Sequence, residues 1–173
     1  MNPETTVTGF GIQPGMKIAD FGAGTGFFTI LMAKLVGETG QVTALDVLEP
    51  ALESIRTQAK AEGLANIQTV RSNLEVVGSS NLAEGSQDLV LVKNMLFQSP
   101  NKAEIISEAR RVLRPEGRLI VIDWKKGAGG LGPPDDLRSD ESAISALVAG
   151  AGLTAVSSFP PDAFHFGLIF KKN

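Results

Sequence analysis

Short apolar runs alternate with amphipathic stretches along the chain, a pattern that predicts an α/β fold. Residues 16–21 (MKIADF) follow a Pro14-Gly15 turn signal and predict a first strand ending at a cluster of glycines. Residues 27–36 (FFTILMAKLV) are apolar nearly all round, which predicts a helix buried on most sides. Residues 41–45 (QVTAL) predict a second strand, with Asp46 at its carboxyl end. Pro50 suits the first turn of the next helix, where Leu52, Ile55 and Ala59 recur at helical spacing before Gly63 ends it. Residues 66–70, 88–93 (DLVLVK) and 118–124 (RLIVIDW) predict strands three to five. A helix from about 102 to 113 lies before the fifth strand, carried by Ile105, Ile106, Ala109, Val112 and Leu113 and stopped by Arg114-Pro115-Glu116-Gly117. A last helix is predicted from Asp140 to about Ala151, and the β-rich segments 154–159 and 165–171 predict a terminal hairpin.

Strand and helix units in this order imply a doubly wound, mainly parallel sheet of seven strands, with helices on both faces and the antiparallel hairpin at one edge. The whole chain, 1–173, is expected to form a single domain. Ligands of open sheets of this kind sit beyond the carboxyl ends of the strands, where strand order reverses, and the first strand is the usual partner there.

Composition narrows the chemistry. The 173 residues include no Cys, no Tyr, one Trp and one His. A thiolate nucleophile, a disulfide framework, a thiolate zinc site and an iron-sulfur cluster are therefore excluded. A two-His metal site is impossible within one chain, and no metal is expected, although an all-carboxylate magnesium site would still be allowed. An enzyme of this composition would take its reactive group from a bound cofactor. The net charge of −3 gives no electrostatic footprint for nucleic acid or an anionic membrane. The opening MNPETTVTGF has neither the basic nor the apolar region of a signal peptide, and no apolar run is long enough to span a bilayer, so a cytoplasmic location is expected.

The most informative stretch is Asp20-Phe21-Gly22-Ala23-Gly24-Thr25-Gly26, which joins the first strand to the first helix. Glycines there allow left-handed backbone and close approach to a ligand, and the helix N-terminus offers free N–H groups. A glycine run alone also fits a tight turn in any α/β domain, and its flanks sharpen it. Asp20 puts a carboxylate where it would repel a pyrophosphate and attract an amino group. Asp46 lies 20 residues past Gly26, the offset at which an acidic side chain accepts from both hydroxyls of a ribose. A nucleoside bearing an amino acid fits better than a dinucleotide, and Phe27 occupies the place of the third glycine of G-x-G-x-x-G.

On these residues the chain resembles the class I, Rossmann-like methyltransferases that use S-adenosyl-L-methionine, and is closest in look to the ubiquinone and menaquinone biosynthesis branch. The resemblance implies that Asp20, Gly22, Ala23, Gly24 and Gly26 hold the methionine part of the cofactor and that Asp46, with Val47 beside it, holds the ribose. It also implies that Asn73, in place of the family's acidic residue, accepts from the adenine amino group, with Glu75 as an alternative, while Leu74 covers the ring. The segment Lys93-Asn94-Met95-Leu96-Phe97 matches the family stretch that passes beside the methionine and the methyl group, and Asn94 is the expected contact. Many relatives carry His near Phe97, and this chain does not. The stretch 109–121 follows the family's helix-turn-strand and supports the fold more than any activity.

Methyl transfer from a sulfonium is an in-line displacement that depends mainly on alignment, which can lower a barrier by ~7–11 kcal/mol. A scarcity of catalytic side chains is then no obstacle. Candidates for a general base at strand carboxyl ends are Asp123, Asn94 and Lys125, and His165 opens the last strand. Asp123 either lines the acceptor site or caps a backbone amide. His165 either reaches the carboxyl edge of the sheet or is structural. Lys125 and Lys126 read as a solvated strand exit, and Trp124 as a pocket wall or an ordinary core aromatic. Loop 127–134 (GAGGLGPP), with Asp135, Asp136 and Arg138, either forms a mobile rim over the acceptor site or is a connector. The acceptor, a small molecule or a protein, is not identified by the sequence. With no element predicted before residue 16 and no long insertion, the acceptor site is either open or closed by a second subunit or a partner. A non-catalytic sensor or partner subunit that binds the same cofactor is the alternative.

Overall fold

The computed structural model describes residues 1–173. Its strands are β1 (Lys17–Phe21), β2 (Gln41–Asp46), β3 (Ile67–Arg71), β4 (Gln87–Lys93), β5 (Leu113–Trp124), β6 (Leu153–Phe159) and β7 (His165–Lys172). Its helices are α1 (Pro3–Thr8), α2 (Phe27–Val36), α3 (Glu49–Ala61), α4 (Lys102–Val112) and α5 (Glu141–Gly150). The strands form one sheet in the order β3-β2-β1-β4-β5-β7-β6, with β1 to β5 parallel and β7 antiparallel to both of its neighbours. This is the doubly wound sheet with a terminal hairpin that the alternation predicts. No helix is long and apolar enough to cross a membrane.

Side chains alternate across a strand, and that parity decides what meets at the carboxyl ends. Ile18, Val42, Leu89, Leu91, Ile120 and Ile122 pack under α1 and α2 against Val7, Phe28, Met32 and Val36. Ala44 meets Leu52 and Ile55 of α3 on the same side. Ala19, Phe21, Val90, Val92, Leu119 and Val121 take the opposite side, with Ile105 and Ile106 of α4 and Ile144 and Val148 of α5. Each such side chain, fully buried, contributes ~1.5–3 kcal/mol. Counting on by twos, Asp20, Asp46, Lys93 and Trp124 end their strands on the α1–α3 side, whereas Asp123 ends β5 on the α4–α5 side.

Two elements differ from the sequence reading. Helix α1 exists because Asn2 caps it, its side-chain carbonyl accepting from Glu4 N (3.0 Å) and Thr5 N (3.3 Å), with Pro3 in the first turn and Val7 buried. The Asn-Pro-Glu signal was in the sequence, but six residues are too few for periodicity to register. Strand β5 starts at Leu113, before the predicted turn: Gln87 pairs with Leu113 and Leu89 pairs with Arg118. Residues 114–117 bulge out of the ladder between those pairs, with Glu116 at φ +65°.

Strand order reverses at β1. The chain steps outward from β1 to β2 and β3, then crosses back to place β4 on the other side of β1. The crossovers diverge there, and a crevice opens at the carboxyl ends.

Candidate functional site

A cleft of about 600 Å³ occupies that crevice. Its floor is the loop from Gly22 to Thr25 with Asp20 below; Asp46, Val47 and Leu48 form one wall, Ser72 and Leu74 the far end, and Lys93, Asn94 and Met95 the other wall. Phe27, Phe28, Met1 and Pro3 close the side toward α1.

The loop is tied to β2 by two backbone bonds, Gly22 N and Ala23 N both donating to Leu45 O (2.9 and 3.0 Å). Two glycines are required for different reasons. At Gly26, φ is +83° and a β-carbon would come within 2.4 Å of Ile55 Cγ1, so glycine lets α2 start against α3. At Gly24, φ is +54° and a β-carbon would meet nothing within 4 Å, because that side of the loop faces the open cleft. Asp46 clamps this geometry, Oδ2 accepting from Gly24 N and Oδ1 from Leu48 N, both at 2.9 Å. Each carboxylate oxygen keeps a second lone pair.

Asp20 is buried beneath the loop and accepts from Thr29 Oγ1 at 2.6 Å. Burial pushes its carboxyl up to about 6, against the opposing Thr29 hydroxyl and Lys93, and Asp46 adds to the rise. Across the cleft, Asn94 is held at φ +50° with its N–H on Ile122 O (2.8 Å). Its Oδ1 is buried with no donor to satisfy it. An orphaned acceptor of this kind costs free energy until a ligand or water reaches it. Lys93 projects from the end of β4 with Nζ 5.0 Å from the centroid of the Phe28 ring. None of the ion pairs in the structure includes it. Burial draws its ammonium below the usual lysine range, opposed by Asp20, Asp123 and Asp162.

Of the expected cofactor contacts, Asp20, Gly22, Ala23, Gly24, Asp46, Val47, Leu74 and Asn94 come together around this one cleft. Gly26 lies behind it, against Ile55. Asn73 points outward, its Oδ1 accepting from Glu75 N at 3.2 Å, and the buried Ser72 takes the lining position. Glu75 is already engaged by Ser99 Oγ (2.6 Å) and Asn101 Nδ2 (2.9 Å), which hold its carboxyl below the usual range. The alternation of β3 does not continue past its end: Arg71 pairs with Asp46 on the cleft's side, yet the chain turns there, Asn73 becomes exposed and Ser72 and Leu74 line the cleft.

Asp123 ends on the other side of the sheet and does not line the cleft. Its Oδ1 accepts from Trp124 N (2.8 Å) and its Oδ2 from Ser139 Oγ (2.9 Å), in an enclosure that pushes it up to about 6 through burial. The geometry is that of the strand-end cap, not of a base in reach of an acceptor. His165 lies on the cleft's side of the sheet, paired with Trp124 and 4.0 Å from it between ring centroids. Asp162 fixes its Nδ1 (2.8 and 2.9 Å), and its Nε2 is buried without a partner. Burial lowers its pKa, although Asp162 pulls the other way. It borders a smaller pocket of about 190 Å³ with Lys125 and Phe159.

Loop 127–134 is anchored. Arg138, buried, donates to the carbonyls of Pro133 (2.9 Å), Gly129 (3.1 Å) and Leu131 (2.9 Å) and lies over the Trp124 ring. The residues that sequence reasoning passed over include Lys93, Ser72 and the pair Met1 and Pro3; for Lys93 alone, continuing the alternation of the preceding strand would have found it.

A family model described as a methyltransferase domain matches residues 12–151. A ubiquinone/menaquinone biosynthesis C-methyltransferase of Shewanella pealeana is 33% identical over 122 residues, 70% of this chain and 47% of that protein. The chain thus spans about half the length of the curated relatives it matches. The crystal structure of a SAM-dependent methyltransferase from Aquifex aeolicus superposes with a TM-score of 0.90 at 26% identity, covering 99% of this chain and 90% of that one. A 1,6-didemethyltoxoflavin-N1-methyltransferase of Burkholderia thailandensis, solved with S-adenosylhomocysteine, has a TM-score of 0.75 at 20% identity, covers 99% of this chain and 76% of that one, and speaks for the fold alone. On the match across residues 12–151, the chain belongs to the methyltransferase domain family.

Proposed function

We propose that this protein transfers a methyl group from S-adenosylmethionine to an acceptor presented at the Lys93 end of the cleft. The observation that carries the reading is the pairing, at the switch point, of a buried carboxylate on β1 (Asp20) with an unsatisfied acceptor on the opposite wall (Asn94 Oδ1). A carboxylate and a lone carbonyl oxygen facing one space suit an ammonium, and the methionine part of the cofactor carries one. The rest of the cleft fits the same molecule. Asp46 has lone pairs left for two ribose hydroxyls, Gly24 leaves the backbone open to close approach, and Leu74 offers an apolar surface to a base.

When bound, the cofactor supplies an activated methyl group on sulfur. The residues of the chain bind and orient. Asp46 fixes the ribose and, through Gly24 and Leu48, the two loops beside it. Asp20 and Asn94 fix the amino group. Asp123 keeps the end of β5 closed on Ser139 and so supports the wall without touching the acceptor. For an acceptor that brings a proton the candidate base is His165, whose Nδ1–H Asp162 holds and whose Nε2 lone pair is free; it borders the small pocket beside Lys125, on the cleft's side of the sheet.

Calorimetric titration tests the cofactor reading: heat is expected with S-adenosylmethionine and with S-adenosylhomocysteine, and none with NAD. A chain silent to the first two refutes it. Incubation with methyl-labelled cofactor and fractionated cell extract tests catalysis and identifies the acceptor. Binding without label transfer would assign the chain to the sensor class.

A further inference from the structure

Two cations border the cleft outside the cofactor contacts: the Met1 ammonium is paired with Asp162 at 2.7 Å, and Lys93 has no such partner. Lys93 ends β4 on the α1–α3 side, two residues past Leu91, and reaches the cleft where Phe28, Met95 and Met1 form apolar walls. The two residues before it on this face, Leu89 and Leu91, are fully buried. A lysine there gives up hydration, and the structure offers it no carboxylate at ion-pair distance, only the face of Phe28 at 5.0 Å. The nearest acids are committed elsewhere. Asp20 is bonded to Thr29, Asp123 to Trp124 N and Ser139, and Asp162 to His165.

We propose that Lys93 is a specificity-determining residue for the acceptor: its ammonium receives an anionic oxygen, so the chain selects acceptors that carry an ionised carboxylate or phenolate. This rests on the methyltransferase reading of the same cleft. It also accounts for a proton-poor site. An acceptor that enters as an anion needs no base, and His165 then matters only for acceptors that arrive protonated. With S-adenosylmethionine bound, the Lys93 ammonium and the sulfonium would be like charges in one cleft, a repulsion that an anionic acceptor would offset and a neutral one would not.

Two measurements test it without a known acceptor. The first is the ratio of affinities for S-adenosylmethionine and S-adenosylhomocysteine, which differ in the sulfonium charge. K93M and K93Q should raise the preference for S-adenosylmethionine several-fold, and K93R should leave it unchanged. The second is binding of two probes, benzoate and 4-nitrophenolate, to protein saturated with S-adenosylhomocysteine, with benzamide as the neutral control. Wild type and K93R should bind at least one anionic probe and not benzamide, and K93M should lose about tenfold to a hundredfold. Which probe binds tells a carboxylate acceptor from a phenolate one. An unchanged affinity ratio in both K93M and K93Q, or probe binding that is absent in wild type or indifferent to K93M, overturns the assignment of Lys93. Failure of wild type to bind either cofactor form refutes instead the reading on which it rests.

Discussion

The two ends of the cleft are built in opposite ways. At the donor end, around Asp20, Gly24 and Asp46, the polar groups are already bonded to the protein: Asp46 to two backbone amides and Asp20 to Thr29. At the acceptor end Lys93 makes no ion pair, and beside it on the same wall Asn94 Oδ1 is buried without a partner. The first end is a preformed mould whose shape comes from backbone. The second is a set of side chains whose hydrogen bonds are left to a ligand. Such a division suits an enzyme that always binds one donor and is selective about what it modifies, since shape is fixed where the ligand is constant and chemistry is left free where it decides specificity.

The largest effect should come from breaking the mould itself. Gly26→Ala places a β-carbon against Ile55 on backbone at φ +83°, and strain plus overpacking together cost ~2–4 kcal/mol. Urea unfolding should show that loss along with loss of cofactor binding. Gly24→Ala provides the contrast, since it meets no atom within 4 Å and adds only the backbone cost of ~1–2 kcal/mol. It should fold and bind the cofactor more weakly, because its methyl enters the cleft. Equal destabilisation by both would mean that the loop is not shaped by the cleft at all.

Asp46→Ala comes next. It removes both ribose acceptors and releases Gly24 N and Leu48 N, and loss of charged hydrogen bonds of this kind costs ~1.5–3 kcal/mol, about tenfold to a hundredfold in affinity by calorimetry. Unchanged affinity would remove Asp46 from the donor end.

The same contrast explains what the sequence disclosed. The donor end was legible because its chemistry is carried by backbone, and a backbone requirement leaves a local mark: Gly22, Gly24 and Gly26 at fixed spacing, then an acid after the next strand. The acceptor end is assembled from the end of β4, the start of α2 and the first residues of the chain, which share no local spacing. Lys93 stood in the segment expected beside the methionine, with no role of its own. Asn73 and Asp123 were chosen for residue type and position along the chain, and the structure turns both away from the cleft, Asp123 by strand parity and Asn73 by the turn that follows β3. Parity was readable from Val121 and Leu119 for Asp123, and from Leu91 for Lys93. The bulge at 114–117 carries only a turn signal, since its neighbour in the ladder lies more than twenty residues away.

Protonation provides a third way to separate the ends. Asp20 must be ionised to hold an ammonium, and burial sets its carboxyl near 6 in the free protein. Cofactor affinity should therefore fall as pH drops below about 6, approaching a tenfold loss per unit. Asp20→Asn should weaken binding and flatten that limb. Stability should move the other way over part of the range. The folded pKa values of Asp20 and Asp123, about 6, exceed the unfolded 3.8, so their contribution is full below 3.8 and is lost as pH rises through about 6. Glu108, buried and held near 2 by Arg111, Ser80 and Gly78 N, contributes fully above 4.5 and loses its part as pH falls through about 2. On these groups thermal unfolding of the free protein should be most resistant just above 3.8, up to about 4.5, where the cofactor already binds less well. Parallel falls of stability and affinity from pH 7 to 5 would contradict the buried placement of Asp20.

The smallest effect expected is the most discriminating for the acceptor end. Asp123→Asn keeps a carbonyl for Trp124 N and a polar partner for Ser139 Oγ, and it removes a carboxyl that is costly to ionise in its enclosure. Methyl-label transfer should stay within about threefold of wild type, whereas loss of a general base costs ~10²–10⁴-fold. The substitution should also abolish part of the rise in stability on going from pH 7 to 5, since one of the two carboxyls that bind protons over that interval is gone. A hundredfold loss of transfer with stability unchanged would put a working carboxylate on the α4–α5 side of the sheet. The acceptor would then have to enter from the side opposite Lys93, and the division between a backbone-built donor end and a side-chain-built acceptor end would no longer describe one cleft.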